Sequence, residues 1–374
     1  MRRLGVVAAL AAALVVGCSR EAARPPADRY VYAPVRTAAA YVALAEKPDA
    51  TRALLLGEEA TRLAPTFANV GVKTSTARGG VFDLVVVACE EMSSESCAKA
   101  AENLSENGVF VWLMDVKDVT VGQFRKRIKS FAMEGAHLWM PGADRWVLAG
   151  RRTPRAIKLS AMLDVFAREG AFADQAAAKC GTLPEVFANY VGERADVMPA
   201  FALLDFSSVV RPQNFLTRAV KPVEWISSEG MDADIAAGVL AEVRSMQVVR
   251  RIVLEGDILA DAATDKAGEE RATETWARAA LRNPNDLLLC ERVDRLARNA
   301  RGFLEVGRVL QAMKCFETIV LVYPNDSTAI HNFGMCLKKI GKLDLAEKTL
   351  ERARKLAAKT AADSAPDAKR PSAP

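Results

Sequence analysis

The side chains of this sequence that could do chemistry are few and poorly grouped. Glu90 and Glu91 stand side by side after a valine-rich run, and Asp115 and Asp118 follow the next apolar run. Paired carboxylates at such points can move protons or hold a polar substrate. Adjacent acids on a loop are more often simply solvated, however, and the two aspartates suit a loop position and a helix N-cap. The 374 residues include 2 histidines and 7 cysteines, none of the latter in a CxxC pair, so no zinc-ligand pattern is present. The sequence therefore names no catalytic residue, no metal ligand and no cofactor-binding residue.

The elements that must position these groups are clearer. Leu84–Ala88 is an unbroken apolar run, as expected for a strand covered on both faces. Ser93–Leu104 has helical spacing, Asn107-Gly108 reads as its stop, and Val109–Met114 is a second buried strand. Strand, helix and parallel strand make one half of a doubly wound sheet. Ligands of such sheets sit at the carboxyl ends of the strands, here Ala88–Met92 and Asp115–Asp118. Around this unit, Tyr30–Lys47 reads as a helix ended by Pro48, Ala53–Gly57 as a strand, Ala60–Phe67 as a short helix and Asn69–Thr76 as a weak strand. Val121–Phe131 is an amphipathic basic helix, and His137–Met140 and Trp146–Ala149, joined through Pro141-Gly142, form a hairpin. Ile157–Glu169 and Pro184–Val191 read as helices, and from Asp234 onward the chain is almost wholly helical. The fold class is α/β plus all-α, a truncated doubly wound Rossmann-like sheet followed by a helical repeat domain.

The LLLG strand, FDLVVVA, NGVFVWL and the closing FAMEGAHLWMPGADRWVLAG resemble the spermidine synthase-like branch of the class I methyltransferase fold, with a fainter echo in AVKPVEW at Ala219–Trp225. The resemblance spans roughly residues 45–228 and implies a nucleoside cosubstrate and aminopropyl or methyl transfer. In that family a glycine-rich loop follows the first strand, whereas only Gly57 stands here, before Glu58-Glu59. A carboxylate for the ribose belongs at the end of the second strand, yet no Asp or Glu lies between Ala60 and Phe82. The aspartate expected after FDLVVV is Ala88, and the acid-proline pair falls on Glu91-Met92. The span from Gly57 to Phe82 is too short for two further strands and their helices. The resemblance thus implies a catalytically inactive relative. An active aminopropyltransferase or S-adenosylmethionine-dependent transferase is the alternative.

In the helical part, Gly307, Ala312, Phe316 and Ile319 recur 34 residues later as Gly341, Ala346, Leu350 and Ala353. Small residues at these points let two helices approach while the large ones fill the gap to the next unit. This resembles the tetratricopeptide repeat. A degenerate earlier copy runs through Ala260, Ala272, Trp276, Ala279 and Pro284, with an insertion near Leu287–Arg295. The resemblance implies a partner-binding concave face lined by Arg298, Arg301, His331, Met335, Lys338 and Lys339, a basic set suited to an acidic peptide or protein segment. Solvated helix surface is the plainer reading of the same residues.

The amino terminus carries Arg2 and Arg3, a short apolar run and Val-Val-Gly-Cys, which resembles a bacterial lipoprotein signal with Cys18 as the lipidated residue. That implies a membrane partner through a lipid anchor and a location at the periplasmic face of the cell envelope. The expected organisation is a signal peptide (1–17), a tether (18–29), an α/β domain (30–232), helical repeats (233–359) and a disordered tail (360–374). The formal charge of +5 falls to about +3 once Arg2 and Arg3 are removed, too little to argue for nucleic acid. The six cysteines after Cys18 leave disulfides and free thiols equally open. A cell-envelope scaffold whose domains only support oligomer contacts is a third reading.

Overall fold

Two valine-rich stretches form the middle of a seven-stranded mixed sheet. The computed structural model describes residues 32–153, 155–168, 182–201, 204–215 and 226–363. A first helix, α1 (Tyr32–Glu46), leads into β1 (Arg52–Leu56), the short helices α2 (Glu58–Thr61) and α3 (Ala64–Asn69), and the three-residue strand β2 (Lys73–Ser75). Next come β3 (Phe82–Ala88), α4 (Ser94–Ala101), β4 (Leu104–Asp115), α5 (Val121–Ser130) and the hairpin strands β5 (Glu134–Trp139) and β6 (Arg145–Arg151). The α/β part closes with β7 (Ile157–Lys158), α6 (Leu159–Phe166), α7 (Leu183–Phe187), β8 (Tyr190–Glu193), α8 (Arg194–Phe201) and β9 (Ile226–Ser227).

The strand order is β2-β1-β3-β4-β6-β5-β8, and β7 pairs separately with β9. Strands β2, β1, β3 and β4 run parallel, with Ala53 opposite Leu84, Leu84 opposite Val109, and Ala88 opposite Leu113. The reversed strand β6 sits beside β4, from Val109 opposite Arg151 to Asp115 opposite Arg145. Strand β5 flanks β6, and β8 extends that edge antiparallel to β5. Alternation along the strands then divides the core. Leu84, Val86, Val109 and Val111 face α1, α3, α6 and α7. Val85, Phe110 and Trp112 face α4, α5, α8 and the helical region.

Three local expectations are corrected. Helix α4 stops at Ala101, because the Asn103 side chain donates to the Lys99 and Ala100 carbonyls while its own carbonyl takes the Phe82 N–H at 2.8 Å. Asn107 and Gly108 therefore lie inside β4, where the pairing with β3 is irregular. The segment read as one helix over Pro184–Val191 is a five-residue helix followed by β8, because Tyr190–Glu193 finds the open edge of β5. The weak strand expected over Asn69–Thr76 shrinks to Lys73–Ser75.

The remaining helices are α9 (Ala233–Asp261), α10 (Lys266–Arg282), α11 (Leu287–Cys290), α12 (Val293–Glu305), α13 (Val309–Val322), α14 (Ser327–Lys339) and α15 (Leu343–Asp363). Aspartates start four of them: Asp232, Asp265, Asp286 and Asp326 each accept a backbone N–H of the following first turn. Gly307 and Gly341 take φ of 75° and 82° in the turns after α12 and α14, a conformation that favours glycine. Short connections of this kind make successive helices antiparallel neighbours, and α12, α13, α14 and α15 pack in sequence. One hydrophobic cluster runs without a break from Phe110 and Trp112 of the sheet to Trp276, Phe303 and Phe316 of the helices. Among the described residues no helix is long and apolar enough to cross a membrane.

Candidate functional site

The carboxyl ends of β1, β3 and β4 are the place where a doubly wound sheet holds its ligand. Gly57, after β1, has φ of 94°, and a Cβ added there would lie 2.2 Å from the Ala88 carbonyl oxygen. Its missing side chain is therefore used for contact with the end of β3. The next two residues are tied down. Arg62 pairs with both Glu58 and Glu59, and Arg36 of α1 donates to Glu59 at 3.0 Å. Beyond Ala88, the Cys89 carbonyl accepts the Trp112 indole N–H at 3.1 Å, and Glu90 and Glu91 project into solvent.

At the end of β4, Asp115 accepts the Lys117 N–H at 2.9 Å and pairs with Arg145 at 3.2 Å, while its carbonyl takes Arg127 at 2.8 Å. It is a turn-forming residue. Asp118 is not the cap of the next helix. It sits at φ of 58°, and Thr120 makes the reciprocal capping box with Gln123. A shallow cleft, partly open to solvent, remains between α1, the loop after β1 and the hairpin turn. Its walls are mainly apolar, Val35, Leu113 and Trp146 among them, and its polar groups are already engaged: Arg36 with Glu59 and Arg145 with Asp115. The arrangement offers no described nucleophile beside a base.

The residues expected on a binding face fall on two helices. Arg298 and Arg301 are exposed on α12; His331, Lys338 and Lys339 are exposed on α14, with Met335 half-buried between them. Helix α13 packs against both. None of Arg298, Arg301, Lys338 and Lys339 forms an ion pair among the described residues. Their neighbours do: Arg295 with Asp261 at 3.0 Å, Arg308 with Glu270 at 3.0 Å, and Lys314 with Glu274 at 3.2 Å. Cys18, the signal and tether, Cys180, the AVKPVEW stretch and the tail beyond Asp363 lie outside the described residues. The other five cysteines, Cys89, Cys97, Cys290, Cys315 and Cys336, are free thiols, and burial pushes Cys315 up to about 12.

Two buried polar groupings had no counterpart in the sequence reading. At the end of α1, Glu46 is 1% exposed and accepts from His137 Nδ1 at 2.9 Å and Trp139 Nε1 at 2.8 Å, with Arg151 at 3.3 Å. Burial alone would raise its pKa. The His137 charge and hydrogen bond, with Arg151 and Trp139, outweigh burial and hold it below the ordinary carboxylate value. For His137 burial acts downward, but Glu46 prevails and the imidazole is raised. The second grouping joins the hairpin turn to α9 and the α11–α12 bend through Arg250, Asp257, Asp286, Glu291 and Arg292. A lone glutamate ending a helix and an arginine within a long helix carry no local mark of such partners. No protein-family model matches the chain, and no curated protein matches it in sequence.

Proposed function

We propose that this is a lipid-anchored cell-envelope protein that joins a catalytically inactive, spermidine synthase-like α/β domain to a tetratricopeptide-like module for binding a protein partner. The observation that carries the reading is the contact of Gly57 with the Ala88 carbonyl. In the enzymes of that family, the space before the corresponding glycine and strand end belongs to cosubstrate and catalytic acid. Here Gly57 is followed by Glu58 and Glu59, both paired with Arg62, and the strand end carries an alanine. The absence of any Asp or Glu between Ala60 and Phe82, and the single three-residue strand in that interval, point the same way. A charge-assisted hydrogen bond to a ribose hydroxyl contributes roughly 1.5–3 kcal/mol, so losing it alone weakens such a ligand by tenfold or more.

The repeat reading is supported by Gly307 and Gly341, which share one left-handed turn geometry, and by Ala312 and Ala346, both buried where the second helix of each pair packs. The cations Arg298, Arg301, Lys338 and Lys339, which form no ion pair among the described residues, favour an acidic peptide segment as ligand. Changing Arg301, Lys338 and Lys339 together to alanine tests this. The thermal midpoint should hardly move, because exposed substitutions usually stay within about 0.5 kcal/mol, while binding of an acidic peptide should weaken and lose its salt dependence. Unchanged peptide affinity at low salt would exclude these helices as the site.

The competing reading, an active transferase, rests on the shallow cleft at the strand ends. Calorimetry with S-adenosylmethionine and its decarboxylated form at millimolar concentration separates the two. Heats of dilution alone are expected, and a saturable micromolar isotherm overturns the inactive-domain reading. Mass spectrometry of the mature amino-terminal peptide tests lipidation at Cys18. An unmodified peptide starting elsewhere would remove the anchor.

A further inference from the structure

The turn between β5 and β6 is seated on the helical array, and charged groups make the seat. Arg250 of α9 donates to the Met140 carbonyl at 2.5 Å, the Ala188 carbonyl at 3.0 Å and Asn189 Oδ1 at 2.8 Å. From the array, Glu291 accepts the Ala143 N–H through Oε2 at 2.9 Å. Its Oε1 lies so close to the turn that a Cβ on Gly142 would stand 2.7 Å away. Neither group can leave its place without breaking bonds across the seam.

The charges in this seam do not balance. Asp257, Asp286 and Glu291 have side chains only 6%, 4% and 13% exposed, against two cations, Arg250 at 7% and Arg292 at 16%. Asp257 takes Arg292 with both oxygens at 2.6 Å. Asp286 lies 3.8 Å from Arg250 and accepts the Leu289 N–H. Glu291 is left with Arg292 at 3.7 Å as its nearest ion pair. The groups facing it are Arg292 beside it, Asp144 on the turn, Arg250 on α9 and Tyr323 after α13. Asp144 in turn faces Asp115, Arg292, Lys117 and Arg145. Burying a charge without a well-placed partner is costly, and the usual relief is to neutralise it.

We propose that the seam between the hairpin turn and the helical array is a proton-sensitive latch, seated when Glu291 is neutral and loosened when it is ionised. Burial first, and Asp144 in addition, push the Glu291 carboxyl up to about 7 against the opposing pull of Arg292, the Ala143 N–H and Arg250. With the turn lifted and the side chain solvated, the ordinary value of 4.5 applies. The seated form therefore holds the extra proton between these values, and its advantage declines as pH rises through that interval and levels off above it. Pro141 of the same turn, next to Arg145 and Trp146 at the start of β6, also walls the cleft at the strand ends, so lifting the turn opens that side of it.

Hydrogen exchange of the full chain at pH 5.5 and 8.0, corrected for intrinsic rates, reads this directly in peptides covering residues 140–146 and 286–293. The linkage gives roughly a 25-fold rise in opening between the two pH values for wild type. In Glu291→Gln the rise should vanish, with the opening held near its low-pH level. Asp144→Asn, which leaves Glu291 in place, should move the wild-type midpoint to lower pH by removing a like charge. Opening that is independent of pH in wild type overturns the proposal, as does a Glu291→Gln protein that keeps the wild-type dependence. An unmoved midpoint in Asp144→Asn overturns the assignment to Glu291.

Discussion

Replacing Glu46 by alanine removes the acceptor that His137, Trp139 and Arg151 share. The three donors belong to β5 and β6, and the carboxylate that joins them to α1 is 1% exposed, so water cannot take its place without entering the core. Breaking a buried pair by deleting one partner typically costs about 3–5 kcal/mol. That is a large share of a stability that is ordinarily about 5–15 kcal/mol. Glu46→Gln keeps a carbonyl for the Trp139 indole but loses the charge and turns the oxygen facing Arg151 into an amide donor, so it should cost at least about 1.5–3 kcal/mol. The pH profile adds a second, independent readout. The Glu46 pKa is lowered from 4.5, so its contribution is complete above 4.5 and is lost as pH falls through the folded value. The His137 pKa is raised from 6.5, so its contribution is complete below 6.5 and is lost as pH rises through the folded value. Urea unfolding followed by tryptophan fluorescence should therefore show this pair's contribution at its full size between pH 4.5 and 6.5, declining on both sides. In Glu46→Gln both slopes should flatten. An alanine variant within about 0.5 kcal/mol of wild type, or a glutamine variant with the wild-type profile, would refute the reasoning.

Further substitutions probe the packing. Gly57→Ala places a methyl group 2.2 Å from the Ala88 carbonyl at a backbone φ of 94°. Strain of this kind costs about 1–3 kcal/mol even before the clash, and the shift in urea midpoint measures it. Gly256→Ala puts its methyl 2.5 Å from the Trp276 indole, whose N–H donates to the Val253 carbonyl and to Asp257. A fall in thermal midpoint with a red-shifted tryptophan emission is expected, and an unchanged spectrum would mean that the indole does not fill that space. Native protein treated with a thiol reagent should react at half-buried Cys89 well before Cys97, Cys290, Cys315 and Cys336, which are buried. Peptide mapping of the labelled sites gives the order, and early labelling of Cys315 would contradict its enclosure.

Strand β3 and the second half of β4 were legible because Leu84–Ala88 and Val109–Met114 are continuous apolar runs, and the hairpin because Pro141-Gly142 separates two apolar segments. The turns at Gly307 and Gly341 could be placed from the 34-residue spacing alone. Strand β8 could not. Four residues are too few for an alternating pattern, and Tyr190–Glu193 becomes a strand only because the edge of β5 is available to it. The end of α4 depends on an asparagine side chain reaching back to two carbonyls, which outweighed the later Asn-Gly pair. At the strand ends, the lack of acids after Ala60 and the alanine at position 88 were visible in the sequence. The approach of Gly57 to the Ala88 carbonyl was not, since it arises from the register between two strands. The destinations of Glu46 and Glu291 were equally hidden, because their partners are 91 and 148 residues away.

Those distances also set an order of events as the chain is made. Helix α1 is the first described element to emerge, and Ala38 to Ala45 within it are all at most 6% exposed in the finished protein. Its resting place is assembled from residues 93 and 105 positions further along, Trp139 and Arg151 among them. Until the hairpin is present, this alanine-rich apolar helix has no native surface to lie on. Contacts of such long range form late, and apolar segments held open that long are the ones that aggregate or engage chaperones. The folding chain should thus carry α1 as an exposed passenger until partners about a hundred residues further along are present, and settle it into the core only when β6 closes beside β4.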